Sequence, residues 1–356
     1  MSDSTSELGK LWEWFADEQC RGYSPLYERI CRAVATQGEL LELVQGAPPA
    51  AHMPTVLLGA VHYLLLAGLE HPLADVYSGS SDRDPAPLFV EVCREHRDQI
   101  GVLLATRHTQ TNDCGRSAVI GPALTWLGRQ CDEPLALVDV GASAGLTLLC
   151  DRYRFDYGRH GTTGPHDSPV RIDCRVVGGD PPIAAHLPAL VDRVGVDRDP
   201  VDLADPDDAR WLLACVWPDT GRLERTAAAI ALALAQGDLP PVVEGYANDV
   251  LPAVLGQLPG GATVAVLTTW AFAYFSIEDR HRFTELLTSE SHGRRITWLS
   301  AEGTGTVEAF AGAAVAHHDD SMSSVLGAVT FEDGAARAQL LGFVHQHGNW
   351  IDWRAP

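Results

Sequence analysis

The chain has 356 residues and a formal net charge of −21, with 26 Lys and Arg against 47 Asp and Glu. This length buries a full core and suggests one large α/β domain carrying a further module. Almost all of the cations are Arg and no stretch supplies a basic face, which argues against nucleic acid or an anionic membrane surface as partner and leaves a small molecule, with a homodimer open.

Met1 to Ser6 contain no basic segment leading into an apolar one, so no secretory signal is read and a cytoplasmic protein is expected. The longest apolar run, Val56 to Leu69, is interrupted by His62 and is too short to span a bilayer. The first part of the chain reads as helices. Leu8, Leu11, Trp12 and Phe15 share one helical face, as do Tyr27, Ile30, Cys31 and Val34 after the cap Ser24 and the first-turn Pro25. Pro54 opens a helix over Thr55 to Leu69, apolar nearly all round, and another runs from about Pro87 towards Thr106. No strand is expected before residue 135.

From Leu135 strands and helices alternate. Leu135 to Val140 is a buried strand, and Gly141-Ala142-Ser143-Ala144-Gly145 a turn of small residues continuing as a helix. Short strands are expected at Tyr153 to Tyr157 and at Val170 to Val177. Asp205-Pro206-Asp207-Asp208 is a helix start, a cap followed by Pro and two acids at the positive end of the dipole, leading into Ala209 to Val216. Leu223 to Ala235 and Asn248 to Leu255 are helices around a strand at Val242 to Glu244. Thr263 to Thr268 is a strand covered on both faces, followed by helix Ile277 to Thr288 and strand Ile296 to Ser300. Val194 to Asp197 has the wording of a strand end, the alternative being that Asp192 to Asp208 is mostly surface. Val325 to Phe331, Glu332-Asp333-Gly334 and Ala338 to His345 form a hairpin.

Parallel βα units closed by an antiparallel hairpin, behind a helical module, resemble the class I S-adenosylmethionine (SAM) dependent methyltransferases. The expected fold is therefore α/β, a methyltransferase-like, Rossmann-like, mostly parallel sheet ending in a hairpin. Residues 1–130 are expected as an all-α cap module and residues 131–356 as a SAM-binding domain. The chain also resembles, over most of its length, the bacterial proteins catalogued as domain of unknown function 2332. That resemblance rests on Ser24 to Arg29, Val61 to Leu65, Arg107 to Asp113, Gly141 to Leu146, Asp151 to Gly158 and Asp205 to Trp211. It implies a lineage and little mechanism. Gly245-Tyr246-Ala247 and Thr268-Thr269-Trp270 depart from the family's wording at strand ends that would line a pocket.

As a SAM site, the central turn offers Asp139, Gly141, Ala142, Ser143 and Gly145, with Ser143 where a glycine is usual. Two acids compete for the ribose, Asp156 and Asp197, the latter favoured by its strand-end wording. Tyr246 and Asp249 stand where an adenine would be read, and Thr269 at the following strand end. Trp270 and Tyr274, with Tyr246, are the candidate catalytic aromatics, able to hold a sulfonium by cation–π attraction. Arg107, Gln110, Asn112 and Arg116 form a polar cluster suited to a substrate carboxylate, with His62 a further substrate-binding candidate.

The expected function is a SAM-dependent transferase acting on a small molecule, most simply by methyl transfer. The same pocket would also serve attack at the aminocarboxypropyl carbon, including ring closure that releases methylthioadenosine. A different class is open as well: Gly141-Ala142-Ser143-Ala144-Gly145 is literally G-x-S-x-G, the nucleophile elbow of α/β-hydrolases, with His345 or His347 downstream. The lack of strands before it weighs against that alternative. A nicotinamide site lacks two of three glycines. His345-x-His347 has no third metal ligand in view, so no metal is expected. The eight cysteines are scattered without a C-x-x-C pair, as suits reduced, buried thiols.

Overall fold

The computed structural model describes residues 3–237, 239–313 and 322–356. Two compact units form, one from Met1–Thr111 with Leu203–Ala227, the other from Asn112–Asp202 with Ala228–Pro356. The boundary expected near residue 130 is thus corrected twice. Helix Ser117–Gly128, buried over nearly its whole length, packs on the sheet and belongs to the second unit. Helix Pro206–Ala214 belongs to the first, because Trp211 is buried in the helical core, beside the space left by Gly59.

In the helical unit Ser24 caps helix Pro25–Val34 by accepting the Tyr27 N–H at 3.1 Å, with Pro25 in the first turn. Asp219 pins this start, accepting from the Ser24 hydroxyl at 2.6 Å and the Leu26 N–H at 2.9 Å. Helix Pro54–Leu66 is the central element, buried on most of its surface as its all-round apolarity requires. The helix expected from Pro87 to Thr106 is two, Pro85–Glu95 and Arg97–Thr106, because His96 leaves helical geometry at φ −111° and ψ 27°. Helices Gly38–Gln45 and Pro72–Tyr77 were not expected.

The second unit contains the strands β1 Leu135–Val140, β2 Arg154–Asp156, β3 Thr162–Thr163, β4 Arg171–Asp173, β5 Arg175–Gly178, β6 Leu190–Asp197, β7 Val242–Glu244, β8 Thr263–Thr269, β9 Ile296–Glu302, β10 Ser323–Glu332, β11 Ala335–His345 and β12 Trp350–Trp353. Nine of them make one sheet in the order β5-β12-β11-β10-β9-β8-β1-β6-β7, and β3-β2-β4 make a separate small sheet. The run β7-β6-β1-β8-β9 is parallel throughout. From β1 the chain builds outward through β6 to β7, then returns to lay β8 on the other side of β1. The strand order therefore reverses at β1/β8, the place where open α/β sheets hold their ligands.

Helices Ala247–Gln257 and Ile277–Glu290 pack their apolar side chains on one face of this sheet. Every residue of β1, β8 and β9 is buried, as a doubly covered sheet requires. The hairpin β10–β11 turns at Asp333-Gly334, both at positive φ (48° and 80°), the backbone that a tight two-residue connection needs. Because β10 is antiparallel to β9, with Val325 opposite Glu302, residues 323–325 and His345 arrive at the same edge as the ends of β1, β8 and β9. The strand end read at Val194 to Asp197 is the close of the long strand β6. Two expectations change. The strand expected at Val170 to Val177 divides between two sheets at Cys174. Val140 leads not into an α-helix but into the short 3-10 helix Leu146–Arg152. Among the described residues no helix is long and apolar enough to cross a membrane.

Candidate functional site

The turn after β1 is shaped by packing. Gly141, Ser143 and Gly145 all lie at positive φ (81°, 51° and 72°). A Cβ on Gly141 would stand 2.4 Å from the Ala271 Cβ, and one on Gly195 of β6 would stand 2.7 Å from the Ala142 Cβ. The small residues thus let three strand ends close on one another. Most of the turn's backbone donors are also engaged. Gly141 and Ala142 donate to the Val196 carbonyl, Gly145 to the Ala142 carbonyl, Ser143 to the Asp197 carboxylate at 2.7 Å and Leu146 to the Asn112 side chain at 2.8 Å. With those N–H groups taken and no α-helix following, the turn does not offer the anion cradle of a phosphate-binding loop.

Acceptors are what the site presents. Asp139, on the last turnward residues of β1, is 1% exposed, and neither of its oxygens makes a hydrogen bond of ordinary geometry. Burial pushes its carboxyl up to about 7, with the Asp197 charge acting the same way; the Arg116 guanidinium and the nearby Thr147 hydroxyl only partly offset this. Glu302, at the end of β9, is equally buried. One of its oxygens accepts the Ala271 and Phe272 N–H groups at 3.1 and 3.0 Å, and the Thr268 hydroxyl stands beside the carboxyl. Desolvation raises it too, against the hydrogen bonds from Phe272, Ala271 and Thr268 and the charge of Arg116. Arg116 itself donates to backbone carbonyls, Thr269 at 2.7 Å and Gln346 at 3.2 Å, clamping the end of β8 to the turn after β11. Beside it His347 Nδ1 meets the Asp113 carboxylate at 2.9 Å, both side chains buried, and His347 N donates to His345 Nδ1. Gly348 makes the contact close, since a Cβ there would stand 1.9 Å from the Gly115 carbonyl oxygen.

Asp156 and Asp197 lie in different sheets. Asp197 ends β6, next to β1, and its two oxygens accept from Ser143 N and Asp199 N. Asp156 ends β2 in the separate small sheet and accepts from Gly158 N. Tyr246 is 64% exposed at the end of β7, with the Arg198 guanidinium 5.9 Å from its ring centre. Asp249 faces solvent in an ion pair with Arg282 at 3.0 Å. Tyr274 is 87% exposed. Trp270 holds a strained φ of +57° and donates its indole N–H to the Ser324 hydroxyl at 2.7 Å.

The polar cluster divides. Asn112 and Arg116 belong to the sheet unit, whereas Arg107 and Gln110 belong to the helical unit. There Arg107 is paired with Asp208 at 2.6 Å, and the Gln110 amide meets His108 at 3.0 Å. His62 is a core histidine: it is 2% exposed, bonded through Nδ1 to the Ala214 carbonyl, and burial lowers it to about 4, which corrects its expected contact with substrate.

Ser143 is buried, and β1, its strand, is the first of the sheet among the described residues, unlike the elbow strand of a hydrolase. Among those residues no group of three or more His, Cys, Asp or Glu side chains gathers as a metal would need, and every cysteine is a free thiol. Glu302 and the Asp113–His347 pair were missed as a group by sequence reasoning. Glu302 did carry a signal, an acid closing an apolar strand just as Asp139 does.

Residues 10–353 match the model of a family described as an uncharacterized protein conserved in bacteria (DUF2332). No curated protein and no solved structure matches the chain. With nearly its full length covered by the family model, the chain belongs to the bacterial family DUF2332.

Proposed function

We propose that this chain is a SAM-dependent enzyme acting on a small molecule, most simply by methyl transfer. The observation that carries the proposal is the polarity of the strand ends. Asp139, Asp197 and Glu302 supply acceptors at the β1/β8 reversal, while most N–H groups of the turn are already bonded. Such a site suits a ligand that brings an amine, hydroxyls and positive charge, and it does not suit one that brings phosphates. SAM has that character.

The residues fit it. Asp139 would accept the amino group of the methionine part. Asp197 is held in place by two peptide N–H groups, yet each carboxylate oxygen keeps a second lone pair, and these would accept ribose hydroxyls. The exposed Tyr246 ring, beside Gly245 whose N–H donates to the Asp197 carbonyl, would offer its face to the adenine. When bound, the cofactor supplies an electrophilic carbon, so the protein's part is to align the acceptor and exclude water.

Calorimetric titration of S-adenosylhomocysteine tests the reading. Binding is expected, weakened at least about tenfold in Asp197→Ala and Asp139→Asn; no heat and no thermal shift with either SAM or S-adenosylhomocysteine would end it. Mass analysis after incubation with SAM then separates methyl transfer from release of methylthioadenosine.

A further inference from the structure

The small sheet β3-β2-β4 presents its charges in rows. β2 and β4 are parallel, and their register sets Arg154 beside Arg171, Phe155 beside Ile172 and Asp156 beside Asp173. Alternation along the strands sends Phe155 and Ile172 to the buried face, Phe155 against Gly121 of helix Ser117–Gly128, and leaves the two arginines and two aspartates on the other face. β3 continues the pattern, with Thr162 opposite Asp156 and, one step past its end, Gly164 on the line of Arg154. Asp156, Arg171 and Asp173 are exposed and Arg154 is half-buried. The face thus carries a cationic row and, about 6.6 Å further along the strands, an anionic one.

Like charges on neighbouring strands repel, so this register costs stability unless something opposite relieves it. Nothing among the described residues does so. The Arg154 guanidinium donates to the Thr162 hydroxyl at 3.2 Å, one Asp156 oxygen accepts the Gly158 N–H at 2.8 Å, and none of the four charged side chains is in an ion pair.

We infer that this face pairs with the same face of a second copy of the chain, about a two-fold axis that lies in the interface and crosses the strands between the two rows. That operation lays Arg154 and Arg171 of each copy over Asp156 and Asp173 of the other, so every row meets its opposite and four ion pairs form. Thr162 then faces Gly164, which has no side chain to obstruct it. The pattern is its own complement. A partner of a single charge sign would be attracted by one row and repelled by the other, which is why a second copy fits better. Three short strands make a small patch, so the dimer is weak and salt-dependent. The inference concerns a different face from the strand ends and does not rest on the proposed cofactor.

Sedimentation equilibrium of the full chain tests it. At about 0.1 M sodium chloride, where screening sets in over about 10 Å, the repulsion between two chains of net charge −21 is damped while charges in contact still attract; at about 1 M, with a length of about 3 Å, the contacts weaken too. A dimer is expected at the lower salt, its dissociation constant rising at least about tenfold at the higher. Arg171→Asp and Asp173→Arg each turn two of the four pairs into like charges, and each is expected to weaken the dimer at least about tenfold. Neither side chain makes a hydrogen bond within the chain, so neither substitution removes one. Mixed in equal amounts, the two variants restore all four pairs between unlike chains, and heterodimers as tight as the unaltered dimer are expected. A chain that is monomeric at the lower salt, a dimer indifferent to salt or to Arg171→Asp, or a mixture that associates no better than its components would overturn the assignment. The salt comparison decides the matter even if a variant does not fold.

Discussion

Asp197 Oδ2 accepts the peptide N–H of Ser143 at 2.7 Å, tying the acid at the end of β6 to the turn that follows β1. Charge-assisted bonds of this kind are short and roughly twice as strong as neutral ones. Asp197→Ala leaves the Ser143 N–H without its acceptor and is expected to lower stability by about 1–3 kcal/mol. Urea unfolding monitored by circular dichroism measures this, and an unchanged midpoint would show that the bond contributes nothing to holding the turn.

Asp139 makes stability depend on pH in a definite direction. Its folded carboxyl sits at about 7, above the ordinary 3.8. Between those values the folded chain keeps a proton that the unfolded chain has released, so stability is present at low pH and is lost as pH rises through the window. The slope from this one group reaches about 1.4 kcal/mol per pH unit. Glu302, also raised, contributes with the same sign. Asp139→Asn removes the first contribution, so its urea midpoint is expected to fall less steeply than that of the unaltered protein from about pH 4 to about pH 7, and to exceed it above pH 7. Parallel midpoint curves would refute the account.

Gly141 is confined by geometry. At φ +81°, with Ala271 where its side chain would go, Gly141→Ala combines left-handed backbone strain with an overpacked contact. A loss of about 2–4 kcal/mol is expected, read as a lowered thermal midpoint. The control is Gly22→Ala, also at positive φ (76°) but with nothing within 4 Å of its Cβ, which should cost only the strain. Equal losses at both positions would show that the Ala271 contact is unimportant.

Ser143 shares a positive φ with hydrolase nucleophiles, which gives the elbow alternative a direct test. A fluorophosphonate probe is expected to leave Ser143 unlabelled, because the residue is buried and its strand opens the sheet. Stoichiometric labelling that disappears in Ser143→Ala would assign the chain to serine hydrolases instead.

What the sequence determined by itself is what depends on near neighbours. The Ser24 and Asp205 caps with their first-turn prolines, the apolar β1 and β8 and the Asp333-Gly334 hairpin are short-range patterns, and each appears where its residues predict it. β6 was obscured because its solvent-leaning half carries Asp192 and Arg193, the latter paired with Asp151, so no continuous apolar run marks it. The site was legible only in part, as Asp139, Asn112, Arg116, Asp197 and the small-residue turn. Whether a given acid faces solvent or the strand ends depends on strand order, and that is a property of the whole sheet. Asp249 and Asp156 read like residues of the same strand ends, but Asp249 pairs with Arg282 and Asp156 lies in the small sheet. Glu302 and the pair Asp113–His347 come together at one edge only because β9, β10 and β11 bring residues far apart in the chain there, where burial, absent from any local pattern, raises the Glu302 carboxyl.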